Sequence, residues 1–107
     1  MKIIVVTGCS VGIAHTYMAA EALEKAGKKM GYEIWAETQG AVGIENQVPD
    51  DFIEEADFVL IAADMEIDKH DRFAEKIKYV TIPAEAIKHA GEVIEKAVEY
   101  YNEQKSK

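Results

Sequence analysis

The sequence predicts an α/β fold: a single doubly wound domain with a four-stranded parallel sheet, order 2-1-3-4, flanked by helices on both faces. Three observations predict it. Short β-branched apolar runs alternate with amphipathic stretches along the whole chain, the pattern of successive βαβ units. The runs Ile3–Val6 and Phe58–Ala63 are continuously apolar, as strands covered on both faces must be. Tyr32–Thr38 instead alternates, which suits an edge strand beside a central first strand.

Lys2–Thr7 reads as the first strand, bounded by Gly8. Ala14–Met30 reads as a helix with Met18, Ala19, Ala22, Leu23, Ala26 and Met30 on one face, stopped by Gly31. In the second strand, Tyr32–Thr38, Tyr32, Ile34 and Ala36 alternate against Glu33, Trp35 and Glu37, so one face is the wetter. Gln39–Gln47 holds Gly40 and Gly43 and reads as a loop. Pro49 suits a helix N1 position and Asp50 and Asp51 its first turn, giving a short helix Pro49–Ala56. Phe58–Ala63 is the third strand, and Asp64–Glu75 a charged loop or short helix. Ile77–Ile82 is the fourth strand, and Pro83–His89 a helical turn or two. Gly91 interrupts, and Glu92–Tyr101 is the last helix, with Val93, Ile94, Ala97, Val98 and Tyr101 on one face. The remainder, Asn102–Lys107, reads as a frayed tail.

The 107 residues suit one domain, and 49% hydrophobic content supplies a core without staples. One cysteine, Cys9, excludes an internal disulfide and any multi-cysteine zinc site. A net charge of -8 argues against a general nucleic-acid footprint. The run Ile3–Val6 is too short for a signal-peptide core, and no stretch approaches the roughly 20 apolar residues of a membrane span. The expectation is a soluble cytoplasmic chain.

Cys9 has an informative address. It follows the first strand and precedes the first helix, in the turn-like Gly8-Cys9-Ser10-Val11-Gly12. A helix N-terminus offers free N–H groups and a positive dipole end, which favour a thiolate and an anion. The amides from Ser10 to Ala14 can converge on a tetrahedral anion, with Ser10 and Thr16 adding hydroxyls. In a doubly wound sheet, ligands bind beyond the strand ends at the switch point, here between the first and third strands. The loop after the third strand carries Asp64. Cys9 and Asp64 are thus expected at one crevice. A thiolate before such a nest can attack phosphorus. Cysteine phosphatases use Cys-x5-Arg, but here the sixth position after Cys9 is His15. The arginine that clamps phosphate bidentately is missing. That is the profile of a carrier rather than a hydrolase.

Thr7-Gly8-Cys9-Ser10-Val11-Gly12-Ile13-Ala14-His15-Thr16, followed by Met18–Leu23, resembles the IIB component of fructose-type, phosphoenolpyruvate-dependent sugar phosphotransferase systems. Glu37–Gly40, Gly43–Asn46, Ala62–Asp68 and Arg72-Phe73 carry the same resemblance, which runs to about Ala97. It implies that residues 1–107 are one IIB phosphocarrier domain acting as a phosphotransferase with a phosphocysteine intermediate. Cys9 takes a phosphoryl group from a phosphohistidine on a IIA protein or domain. It passes the group to a fructose-like sugar bound by a membrane IIC partner, which recruits the chain to the inner face of the membrane. Ser10, Val11, Gly12, Ile13, Ala14, His15 and Thr16 form the phosphate loop. No cofactor, metal, nucleic acid or membrane insertion is implied. Two departures stand out: Ser10-Val11 replaces the family's common Pro-Thr, and His70 looks inserted between Asp68 and Arg72.

Other readings stay beside these. The chain as a stand-alone phosphatase or arsenate reductase lacks the arginine and a resolving thiol. A regulatory phospho-binding module would keep the fold without the relay. His15 is a base, a phosphate donor or a solvent-facing helix residue. Glu37 and Gln39, at the end of the second strand, are supporting residues that order the crevice edge. Asp64, Glu66 and Asp68 suit loop hydrogen bonding and partner recognition better than a metal. Met18 and Met30 read as core, and Lys25, Lys28 and Lys29 as a solvated helix face.

Overall fold

The computed structural model describes residues 1–10 and 13–107. Its centre is two strands that can only be buried. β1 (Lys2–Gly8) and β4 (Phe58–Ala63) are fully covered from Ile3 to Gly8 and along all of β4. They pair in parallel, with Val5 opposite Leu60. β2 (Glu33–Gly40) pairs in parallel with the other edge of β1, Val5 opposite Ala36. β5 (Lys78–Thr81) pairs in parallel with β4.

A further strand, β3 (Gly43–Glu45), runs antiparallel on the outer edge of β2. The sheet is therefore five-stranded and mixed, in the order β3-β2-β1-β4-β5. This corrects the expectation of a four-stranded, all-parallel sheet. It also corrects the reading of Gln39–Gln47 as a loop and of β2 as an edge strand. Gly40 pairs with Gly43 across a two-residue turn, and Gly43 has φ +92°, a left-handed angle that glycine adopts freely. Glycines at both ends of so short a strand read as loop. With β3 outside it, the far half of β2 is covered, and Ala36 to Gln39 are buried. Glu37 thus sits inside, not on a wet face.

Two apolar layers sandwich the sheet. On one face Ile3, Val5, Phe58 and Leu60 pack against α1 (Ile13–Lys29), α3 (Pro83–Lys88) and α4 (Ala90–Lys105). On the other, Ile4, Val6, Val59 and Ile61 pack with Val48, Ile67 and Phe73, beneath α2 (Asp50–Glu55) and a 3-10 turn (His70–Phe73). Pro49 caps α2 from outside rather than standing at its first position.

α1 rests on Thr16, Ala19, Ala20, Leu23 and Gly27. Met18 is 51% exposed and Met30 37%, so neither is core. Small residues decide the contact face: a Cβ on Gly27 would fall 2.5 Å from Ile34 Cδ1, so only glycine lets the helix lie so close to β2. α4 is longer than expected at both ends. Gly91 falls in its first turn rather than breaking it, and the supposed frayed tail is helical to Lys105. Tyr101, stacked on Phe58 with ring centroids 5.1 Å apart, ties down that last stretch.

Candidate active site

β1 and β4 end level with one another, Gly8 opposite Ala63. The next residue on each is Cys9 and Asp64. The Asp64 N–H donates to the Gly8 carbonyl at 3.3 Å, extending the ladder past the strand ends. The thiol and the carboxylate thereby meet at the switch point of the sheet.

Cys9 is part-buried, and Ser10, Ala14, His15 and Asp64 around the loop are exposed. The Cys9 Sγ–H donates to Asp64 Oδ2 at 3.5 Å, and the Ser10 N–H donates to Asp64 Oδ1 at 2.8 Å. His15 Nδ1 lies 4.0 Å from Sγ. The Ser10 N–H holds the Asp64 carboxyl below its ordinary range; slight desolvation opposes this, and the thiol adds to it. Asp64 is an anion at neutral pH.

The loop is anchored from below. Thr7 Oγ1 donates to the Thr16 carbonyl at 2.9 Å, tying the first turn of α1 to β1. Thr16 is buried, and its own Oγ1 has no hydrogen-bond partner among the described residues. Of the expected phosphate loop, Ser10, Ala14 and His15 are exposed beside the part-buried Cys9, and Thr16 is buried. Ile13 opens α1. Val11 and Gly12 lie outside the described residues.

Glu37 and Gln39 belong to a separate buried network one layer down. Arg72 Nη1 and Nη2 donate to the two Glu37 oxygens at 2.9 and 3.0 Å. Gln39 Nε2 donates to Glu37 at 2.9 Å and to the Asp68 carbonyl at 3.1 Å, and the Asp68 N–H returns a 2.7 Å bond to Gln39 Oε1. The Val48 N–H donates to Glu37 at 3.0 Å. Burial alone would raise the Glu37 carboxyl. The Arg72 fork, Gln39 and the Val48 N–H outweigh it and hold the group below its ordinary range. The network fixes the segment that begins at Asp64 by gripping its other end at Asp68. Sequence reasoning left Arg72 without a role. A buried acid in a strand demands a cation, and Arg72 is the only arginine in the chain. It faces Glu37, so the chain has no arginine free to clamp a phosphate. His70 is exposed and lies 3.4 Å from Glu66.

Residues 4–96 match the family described as "PTS system, Lactose/Cellobiose specific IIB subunit". This chain belongs to the IIB family of the sugar phosphotransferase system. The IIB chain is 44% identical over 95 residues to the "PTS system fructose-like EIIB component 2" of Escherichia coli K12, covering 89% of this chain and 90% of that protein. It is 45% identical over 97 residues to the "PTS system 2-O-alpha-mannosyl-D-glycerate-specific EIIABC component" of the same organism, covering 90% of this chain but 15% of that one. Among solved structures, a domain of the fructose-specific IIABC component of Borrelia burgdorferi superposes with a TM-score of 0.83 at 43% identity, covering 89% of this chain and 90% of the other. Two of these relatives are named for fructose and one for 2-O-alpha-mannosyl-D-glycerate, whereas the family description names lactose and cellobiose. Among the described residues, no helix is long and apolar enough to cross a membrane.

Proposed function

We propose that this IIB chain is a phosphocarrier: Cys9 accepts a phosphoryl group from a phosphohistidine on a IIA protein or domain and gives it to a fructose-like sugar held by a membrane IIC partner. In the first step the histidine N–P bond breaks and an S–P bond forms, and the thiol proton ends on the released imidazole nitrogen. In the second step the S–P bond breaks, a sugar hydroxyl oxygen takes the phosphorus, and the hydroxyl proton ends on sulfur. Ser10 and the loop through Thr16 supply donors to the phosphoryl oxygens. His15 faces the sulfur as a donor to the same oxygens. Asp64, Glu37 and Gln39 order the loop on the far side. The reaction uses no cofactor, and the chain works in the cytoplasm, recruited to the membrane by IIC.

One observation carries this reading: the thiol stands at the open end of the sheet while the only arginine is locked to Glu37. A part-buried thiol ringed by exposed residues suits hand-over between macromolecules. The missing phosphate clamp disfavours hydrolysis.

The test is incubation with phosphoenolpyruvate, the general phosphotransferase proteins and a fructose-type IIA. Intact mass is expected to show one added phosphoryl group on the wild-type chain and none on Cys9→Ser. An unlabelled wild type, or equal labelling of Cys9→Ser, sinks the reading. Steady turnover of a simple aryl phosphate, abolished by Cys9→Ala, would make the chain a hydrolase instead.

A further inference from the structure

We propose that Asp64 is an internal stand-in for the phosphoryl group, holding the Ser10 amide while the Cys9 thiol is unmodified and surrendering it when the sulfur is phosphorylated. The inference rests on the carrier reading of Cys9 and assigns the competitor that sets how tightly that site keeps its cargo.

The geometry is that of an anion already seated. One Asp64 oxygen takes the Ser10 N–H at 2.8 Å and the other faces Sγ at 3.5 Å. A phosphoryl group on Sγ brings about −1.5 to −2 charge and three strong acceptor oxygens. Its oxygens would compete for the Ser10 amide, the next along the chain from the sulfur, and Asp64 holds that donor. Two anions cannot share one N–H so close together. Among the described residues, the basic side chain recorded against the sulfur is His15, whose Nδ1 is 4.0 Å from Sγ, and the chain as a whole carries -8.

Asp64 is also placed to let go. Its side chain is exposed. Four residues on, Asp68 is pinned to Gln39 by two bonds, and Ile67 is buried in the core. Displacement is therefore confined to Asp64–Glu66, and the carboxylate swings into solvent without disturbing the Glu37–Arg72 network. Phosphorylation then breaks both Asp64 bonds and sets like charges side by side. That makes the phosphorylated state easier to discharge, which a carrier requires.

The test titrates the full chain with inorganic phosphate and follows the Ser10 and Asp64 amides by NMR. Asp64→Asn keeps a side-chain oxygen and removes the charge, and is expected to bind phosphate about tenfold more tightly than wild type. In the unaltered chain, saturating phosphate is expected to move the Asp64 carboxyl titration upward, because it loses the Ser10 bond and gains an anion beside it. Equal or weaker binding by Asp64→Asn, an unmoved Asp64 titration, or no phosphate response in either protein overturns the proposal. With a IIA donor present, Asp64→Asn is expected to raise the equilibrium ratio of phosphorylated to free Cys9 by about tenfold; a merely structural role for Asp64 would lower it. Failure of wild-type Cys9 to take any label sinks the carrier reading, and the phosphate titration still decides the role of Asp64.

Discussion

Arg72 and Glu37 meet through two parallel N–H···O bonds at 2.9 and 3.0 Å, with the Glu37 side chain wholly buried and that of Arg72 14% exposed. The pair joins the end of β2 to the 3-10 turn after β4, the two segments that flank the Asp64 loop. A buried pair of this kind is costly to break from one side, because the remaining charge has no water to return to.

Arg72→Met is expected to lower unfolding free energy by about 3–5 kcal/mol, since Glu37 is left buried without its cation. The double variant Arg72→Met, Glu37→Gln is expected to recover part of that loss. Urea unfolding of the wild type and the single and double variants measures both effects. A single variant within experimental error of wild type would show that water reaches Glu37.

Acid is expected to act through the same pair. Glu37 titrates below its ordinary value of 4.5 in the folded chain. A group lowered by folding contributes stability that is full above its unfolded value and is lost as pH falls through its folded value. The wild type should therefore weaken from about pH 4.5 downward. In Arg72→Met the sign reverses for this group, because an unpartnered buried carboxyl is raised, so the variant's deficit should shrink as pH falls. Urea midpoints between pH 7 and pH 3 give the comparison.

Gly27→Ala would ordinarily strengthen a helix by about 1 kcal/mol. Here the added methyl meets Ile34 Cδ1 and Cγ1 at 2.5 and 2.6 Å. Ile34 is a stiff, buried, β-branched residue, and overpacking of that kind costs about 1–3 kcal/mol. The expected outcome is a net loss, seen as a melting temperature lower by about 5 °C.

His15 is exposed and 4.0 Å from the thiol, too far for a strong bond. His15→Ala is expected to slow phosphoryl acceptance by about tenfold or less, below the usual range for a general acid or base. Cys9→Ala is expected to abolish it. A loss in His15→Ala as complete as that in Cys9→Ala would make His15 indispensable to the transfer.

The central strands were legible because burial on both faces leaves one signature, an unbroken apolar run, and Ile3–Val6 and Phe58–Ala63 both show it. The meeting of Cys9 and Asp64 followed from topology alone, since parallel strands that end together bring their next residues together. β3 was not legible: Gly43-Ile44-Glu45 is too short for alternation to register. That omission carried over to Glu37, which looked solvent-facing because nothing in the sequence announced a strand outside β2. The face of α1 was misjudged because large Met18 and Met30 outweighed small Ala20 and Gly27, whereas close helix–sheet approach favours the small residues. The Ser10–Asp64 bond has no local signal, for its partners are 54 residues apart and one of them is a backbone amide.

The position of Glu37 opposite Val6 has a consequence for how the chain finds its fold. Sliding β2 by one residue along β1 would turn every side chain of β2 to the opposite face. Glu37 would then enter the apolar layer of Ile3, Val5 and Leu23, on the opposite face of the sheet from Arg72. A strand of plain alternating apolar residues tolerates such a slip far better. The single carboxylate makes the misaligned sheet the costly one, so it acts as a spelling check on the pairing that brings the end of β1, and Cys9 with it, to its place.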